Sequence, residues 1–175
     1  MQTILLLAVF IASALSVRPA PEDPLAPLRF LVGEWIAIDA PAGETGSFTF
    51  RLAVQDRVLV RTNEANYAAT PERAASRHED LLLIYSENGS LRADYFDSEG
   101  HVIRYAIVSR FTTSSAKAAV TTGVMFLSDP NPREPRYRLT YIVASDGVLG
   151  ASFEIAPPGS PESFKPYLSW KARRR

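Results

Sequence analysis

Asn88-Gly89 stands between two alternating runs, HEDLLLIY before it and LRADYF after it. Both central residues of the tightest hairpin turn need positive φ, which Asn and Gly tolerate best. The dipeptide therefore predicts two antiparallel strands closed by a two-residue turn. The same pattern recurs along the chain. In SFTFRL, Phe48, Phe50 and Leu52 share one face while Thr49 and Arg51 share the other. DRVLVRTNEANY is a long run rich in β-branched residues, and DSEG separates LRADYF from HVIRYAIVSR. AAVTTGVMFL, RYRLTYIV and VLGASFEI follow, with Asp146-Gly147 predicting a second tight hairpin. PPGSPESF reads as a loop or one helical turn, and YLSWKARR closes the series. No amphipathic helix longer than two turns is present. The expectation is an all-β fold of about nine or ten strands, a barrel or a sandwich.

RTNEANY carries polar residues on both faces. On the core side of a sandwich they would be costly, whereas inward positions of a barrel need not all be apolar. This favours an antiparallel up-and-down barrel over residues 28–175, preceded by a short helical turn in PLAPLRFL.

The start of the chain, MQTILLLAVFIASALS, has an uncharged apolar core from Ile4 to Leu15 and a small-x-small pattern at Ala14-Leu15-Ser16. It reads as a signal peptide over 1–16, and export to the periplasm or beyond is the expectation. An uncleaved anchor is the alternative, but the run falls short of the ~20 apolar residues that span a bilayer. Residues 17–27 form a leader in which Pro19, Pro21, Pro24 and Pro27 impose extended backbone. With no cysteine, disulfides, thiolate ligands and thiol nucleophiles are excluded. Stability must come from the core, which 46% hydrophobic residues can supply. Nineteen basic and nineteen acidic residues balance, so neither nucleic acid nor an anionic membrane surface is an expected partner. The basic end KARRR reads as the solvated end of a last strand.

FLVGEW, with Gly33-Glu34-Trp35, resembles the opening of calycin-type barrels: lipocalins, fatty-acid-binding proteins and nitrobindins. RVLVRTNEANYAATPERAASRHEDLLLIY, LRADYFDSEGHVIRY, FLSDP, PRYRLTY and FEIAPPG are similar to a group of small bacterial calycin-like proteins. The resemblance implies fold: a Trp sealing the closed end, with a basic side chain of the last strand over it, here Lys171, Arg173 or Arg174. It implies no specific activity. Nitrobindin-like barrels hold haem through a late histidine, but the last histidine here is His101, so haem is not expected as a cofactor. Tyrosine can also ligate haem, yet no motif specifies one.

His78 and His101 are the chain's two histidines. With Asp80, Asp97 or Glu99 they make a two-His, one-carboxylate set on paper. HEDLL places Leu82 where a zincin needs its second histidine. The two histidines begin parallel strands separated by a third, ~10 Å apart, so no metal is expected. An enzyme using His78 or His101 as a general base at the barrel mouth is the catalytic alternative, although alternation separates Glu79 from His78 and Asp80. The bland alternative puts Asp80 and Arg77 in rim salt bridges. No Gly-x-Ser-x-Gly is present.

A ligand-binding wall is the third possibility. If Arg61 faces inward, so do Asn63 and Tyr67; if His101 does, so do Ile103 and Tyr105. With Trp35, His78, Tyr85 and Tyr95, these residues make apolar walls with a few polar tips, suited to a small-molecule ligand. The alternative is that Arg61 pairs with Glu64 or Asp94 inside a filled structural barrel. Asn88-Gly89-Ser90 also matches a glycosylation sequon, but the hairpin explains it without glycan. The expectation carried forward is an exported, non-catalytic barrel that binds a small apolar or amphipathic ligand.

Overall fold

The structure is a computed structural model describing residues 23–115 and 118–175. The signal-like segment and residues 17–22 of the leader lie outside the described residues. A 3₁₀ helix, Ala26–Leu31, leads into ten strands: β1 Gly33–Ile38, β2 Glu44–Ala53, β3 Val58–Tyr67, β4 Ser76–Glu87, β5 Ser90–Asp97, β6 Val102–Ser115, β7 Ala118–Ser128, β8 Arg136–Val143, β9 Leu149–Ala156 and β10 Lys165–Arg174. Each strand pairs antiparallel with the next, and β10 pairs back onto β1, closing an up-and-down barrel. Closure removes every free sheet edge, so no strand is left as a template for aggregation. Among the described residues no helix is long and apolar enough to cross a membrane.

Turn chemistry fixes the hairpins. Asn88 and Gly89 both adopt positive φ (50° and 79°), the two-residue turn their sequence predicts. Asp146-Gly147 differs. Only Gly147 is left-handed, Gly147 N–H donates to Ala144 O, and Ala144 N–H donates to Val148 O. This is a three-residue loop, a type I turn followed by a glycine bulge. Asp146 prefers it because its side chain accepts a bond from Val148 N–H (3.0 Å), which supports the type I turn.

The closed end is sealed from below by the 3₁₀ helix, whose Leu28 and Leu31 are fully buried along with Leu25 before it. Trp35 Nε1 donates to Leu31 O (2.8 Å), so its indole tip is satisfied while its body is buried. Of the three basic candidates, Arg174 lies over the indole at 4.6 Å, because β10 register sets Arg174 opposite Trp35. It also donates to the Phe30 and Val32 carbonyls that the helix end leaves free. Lys171 faces outward to Asp39 (3.5 Å), and Arg173 sits one residue off the inward row. At Gly33 a Cβ would come within 2.8 Å of the Arg174 guanidinium, so glycine makes room for this lid.

Above the base, aromatic rings cross the barrel. Phe50 of β2 meets Tyr141 of β8 edge-on at 5.5 Å, and these strands lie on nearly opposite walls. Tyr141 continues to Phe126 (6.1 Å) and Phe126 to Tyr105 (6.2 Å), while Phe48 joins Phe50 to Trp35. Full burial of each large apolar side chain contributes about 1.5–3 kcal/mol, and each ring contact adds about 0.5–1.5 kcal/mol. The lower half is thus a packed core.

Candidate functional site

The inward face of β4 changes character along the strand: Leu82 and Ile84 are fully buried toward the base, while His78 and Asp80 point inward nearer the mouth. Strand alternation alone puts these four on one face. Register then supplies their neighbours. Arg61 of β3 sits opposite Leu82, Asn63 opposite Asp80, and Asp97 of β5 on the other side of Asp80. Arg61 is therefore one step diagonal from Asp80 and pairs with it inside the barrel, the two side chains only 4% and 5% exposed. Asn63 Nδ2 donates to the second Asp80 oxygen at 2.9 Å.

The filled-barrel alternative gives Arg61 an internal acidic partner, Glu64 or Asp94; the partner is internal but it is Asp80. Glu64 has opposite parity on β3 and faces outward to Arg77 (2.8 Å), and Asp94 is opposite outward Leu83 and accepts from Tyr85 Oη (3.0 Å). The rim salt bridges do form, but Arg77 makes them with Glu64 and Glu79 (2.7 Å) and not with Asp80.

His78 is held from both sides. Its Nε2 meets Asp80 at 3.2 Å and its Nδ1 meets Glu99 of the β5–β6 turn at 2.8 Å. Burial pulls its pKa down, but the bond and charge of Glu99 and those of Asp80 outweigh burial, and the net shift is upward. The imidazolium is the form that donates to both carboxylates. In this protonated form neither nitrogen has a lone pair to take a proton from a substrate, so the imidazolium acts as a charge link between the two carboxylates.

Arg61 reaches further. Its guanidinium lies 5.2 Å from the Phe48 ring and 6.0 Å from the Tyr141 ring, which belongs to the wall directly opposite. Burial opposes its charge, yet Tyr141, Asp80 and Tyr95 leave its pKa raised overall. Burial pushes the Tyr141 hydroxyl up to about 12, and it also raises Tyr95, so both stay neutral. Two buried polar atoms here have no partner in the protein: Arg61 Nε and Tyr141 Oη. Buried donors without a bond cost about 1–3 kcal/mol each.

The sequence-derived wall divides as follows. Arg61, Asn63, His78, Tyr95 and Tyr105 come together on the interior side, with Trp35 below them at the base. Tyr67 lies at the rim, with Arg73 over its ring at 5.2 Å. Tyr85 has opposite parity to Leu82 and Ile84 and stands on the outer wall. His101 is 63% exposed on the turn, where it bonds Asp97 (2.8 Å), so Ile103 and Tyr105 face inward without it. Asp97, Glu99 and His101 lie close together, and Asp97 accepts from the Glu99 and His101 N–H groups and meets the His101 ring, as in a capped turn. Tyr141 was legible as the inward mate of Leu139 in RYRLTYIV; its role beside Arg61 needed the closure of the barrel.

Two open depressions mark the surface. One, about 500 Å³, runs along the mouth rim past Thr45, Asn66, Tyr67 and Arg77; the other, about 180 Å³, lies at the base beside Pro27 and Phe111. On the mouth's far side Tyr137 stacks on Phe153 (5.7 Å), which meets Tyr167 edge-on (6.1 Å). The mouth half thus has a polar wall from β3 to β5 facing an aromatic wall from β8 to β10. No protein-family model matches the chain, and no curated protein matches it significantly in sequence.

Proposed function

We propose that the protein is an exported, calycin-like barrel that holds a small amphipathic ligand in its mouth half. The reading rests above all on Arg61 Nε and Tyr141 Oη, two buried donors on opposite walls of the barrel with no protein partner. The packed aromatic floor stops a ligand there, with its polar end against these donors. The Tyr137, Phe153 and Tyr167 side supplies the apolar contact. A ligand end that accepts hydrogen bonds, such as a carboxylate or carbonyl, matches the two donors. The closed ten-strand barrel and the Trp35–Arg174 seal agree with the calycin resemblance.

Native mass spectrometry against a panel of fatty acids, fatty alcohols, apolar hydrocarbons and haem tests this. Amphiphiles with an acceptor head should be retained, and Tyr141→Phe should weaken them about tenfold, the loss of one buried hydrogen bond. If nothing on the panel is retained, the ligand reading fails and the filled structural barrel takes its place; if Tyr141→Phe binds as the wild type does, the polar end of the ligand does not rest on Tyr141.

A further inference from the structure

The charged groups at the mouth form a chain whose net charge changes with one proton. Arg61 and Asp80 cancel in the interior, and His78 joins Asp80 to Glu99, which is 49% exposed on the turn between β5 and β6. With His78 protonated, the four groups sum to zero; with it neutral, they sum to minus one. A neutral imidazole has one N–H and cannot donate to both carboxylates. Asp80 is buried and keeps its bonds from Arg61 and Asn63, while Glu99 can return to water at little cost. The contact given up is therefore the one to Glu99.

We infer that His78 is a proton-operated latch at the barrel mouth. Protonated, it draws Glu99 against the Arg61–Asp80 pair and leaves these four groups neutral; neutral, it frees Glu99 and adds one negative charge to the mouth, which disfavours an anionic ligand. This rests on the ligand-binding reading above and adds its regulation. The other charged or titratable groups nearby are Asp97 and the neutral Tyr95 on β5, His101 beyond the turn, and Tyr67 at the end of β3. Arg77 and Glu79 of β4 pair with each other on the outer face. The upward pKa shift of His78 fits the latch. Its sign is fixed by linkage: the folded state holds the proton more tightly than the unfolded chain. The stabilisation by the latch is then complete below the ordinary histidine value of 6.5 and is lost as pH rises through the raised folded value.

The test uses the full chain carrying His101→Gln, which leaves His78 as the sole histidine. Binding of anilinonaphthalene sulfonate, an anionic amphiphile, and of phenylnaphthylamine, a neutral one, is followed by fluorescence from about pH 5.5 to about pH 9. The anionic probe should weaken about three- to tenfold as pH rises, the effect of one nearby charge at intermediate dielectric, while the neutral probe stays level. Adding His78→Gln should flatten the anionic curve, and adding Glu99→Gln instead should move its midpoint to lower pH. An anionic curve without a step, or a step that survives His78→Gln, overturns the latch while leaving the binding reading intact. If neither probe binds, the binding reading fails. The latch is then decided by NMR titration of His78 in the ligand-free protein: a midpoint above 6.5 that falls with Glu99→Gln supports it, and a midpoint at or below 6.5 refutes it.

Discussion

Val54, Gln55 and Asp56 all adopt left-handed backbone, with φ of 52°, 52° and 62°, in the turn from β2 to β3. For a β-branched residue this conformation is a true outlier, and Val54 offsets none of its cost by burial, being 71% exposed. Arg57 N–H closes the turn onto the Ala53 and Val54 carbonyls. Val54→Asn should therefore raise stability by about 0.5–1 kcal/mol in urea unfolding, since Asn tolerates this region. An unchanged or lower midpoint would show that the valine is not strained. At this same scale, alternation was enough to place His78 with Leu82 and Ile84 and to set Glu79 apart. It was not enough to choose the partner of Arg61. Parity already argues against Glu64 on the same strand as Arg61. Choosing Asp80 over Asp94 requires the register between β3, β4 and β5, which single-strand patterns do not contain.

Hairpins are where sequence and element agree best. Gly89 has φ of 79° and no heavy atom within 4 Å of where a Cβ would stand. Gly89→Ala should thus cost about 1–2 kcal/mol by backbone strain alone, with unfolding cooperativity unchanged; a neutral outcome would mean the turn is not of the two-residue type. The Asn-Gly pair was readable because both residues need the same unusual φ. Asp146-Gly147 was readable as a turn but not as a three-residue one, because Asp also favours the type I geometry it adopts here. The β2–β3 turn carried no glycine and so no signal. The turn at Asp97–His101 is another three-residue loop, with Gly100 left-handed (φ 91°), and it lifts His101 out of β6 and away from the interior.

For the whole molecule, ten strands around one axis bring opposite walls within reach of a single side chain. Phe50 and Tyr141 close the floor, and Arg61 spans the space above it. The calycin-like opening and the strand count pointed to a barrel, but how much of it is filled depends on contacts between β2 or β3 and β8, far apart in sequence. A buried ion pair is seldom retained for stability: removing one partner costs about 3–5 kcal/mol, whereas replacing both with apolar residues is often neutral or stabilising. The proposed function takes the Arg61–Asp80 pair, with the unpartnered Arg61 Nε and Tyr141 Oη, as a site and not as a brace. The most direct measurement is the urea midpoint of wild type and of Arg61→Met/Asp80→Leu, each with and without saturating anilinonaphthalene sulfonate. The double variant alone should unfold at or above the wild-type midpoint, and the amphiphile should raise only the wild type. A large loss of stability in the double variant, with equal amphiphile shifts in both proteins, would contradict the proposed site.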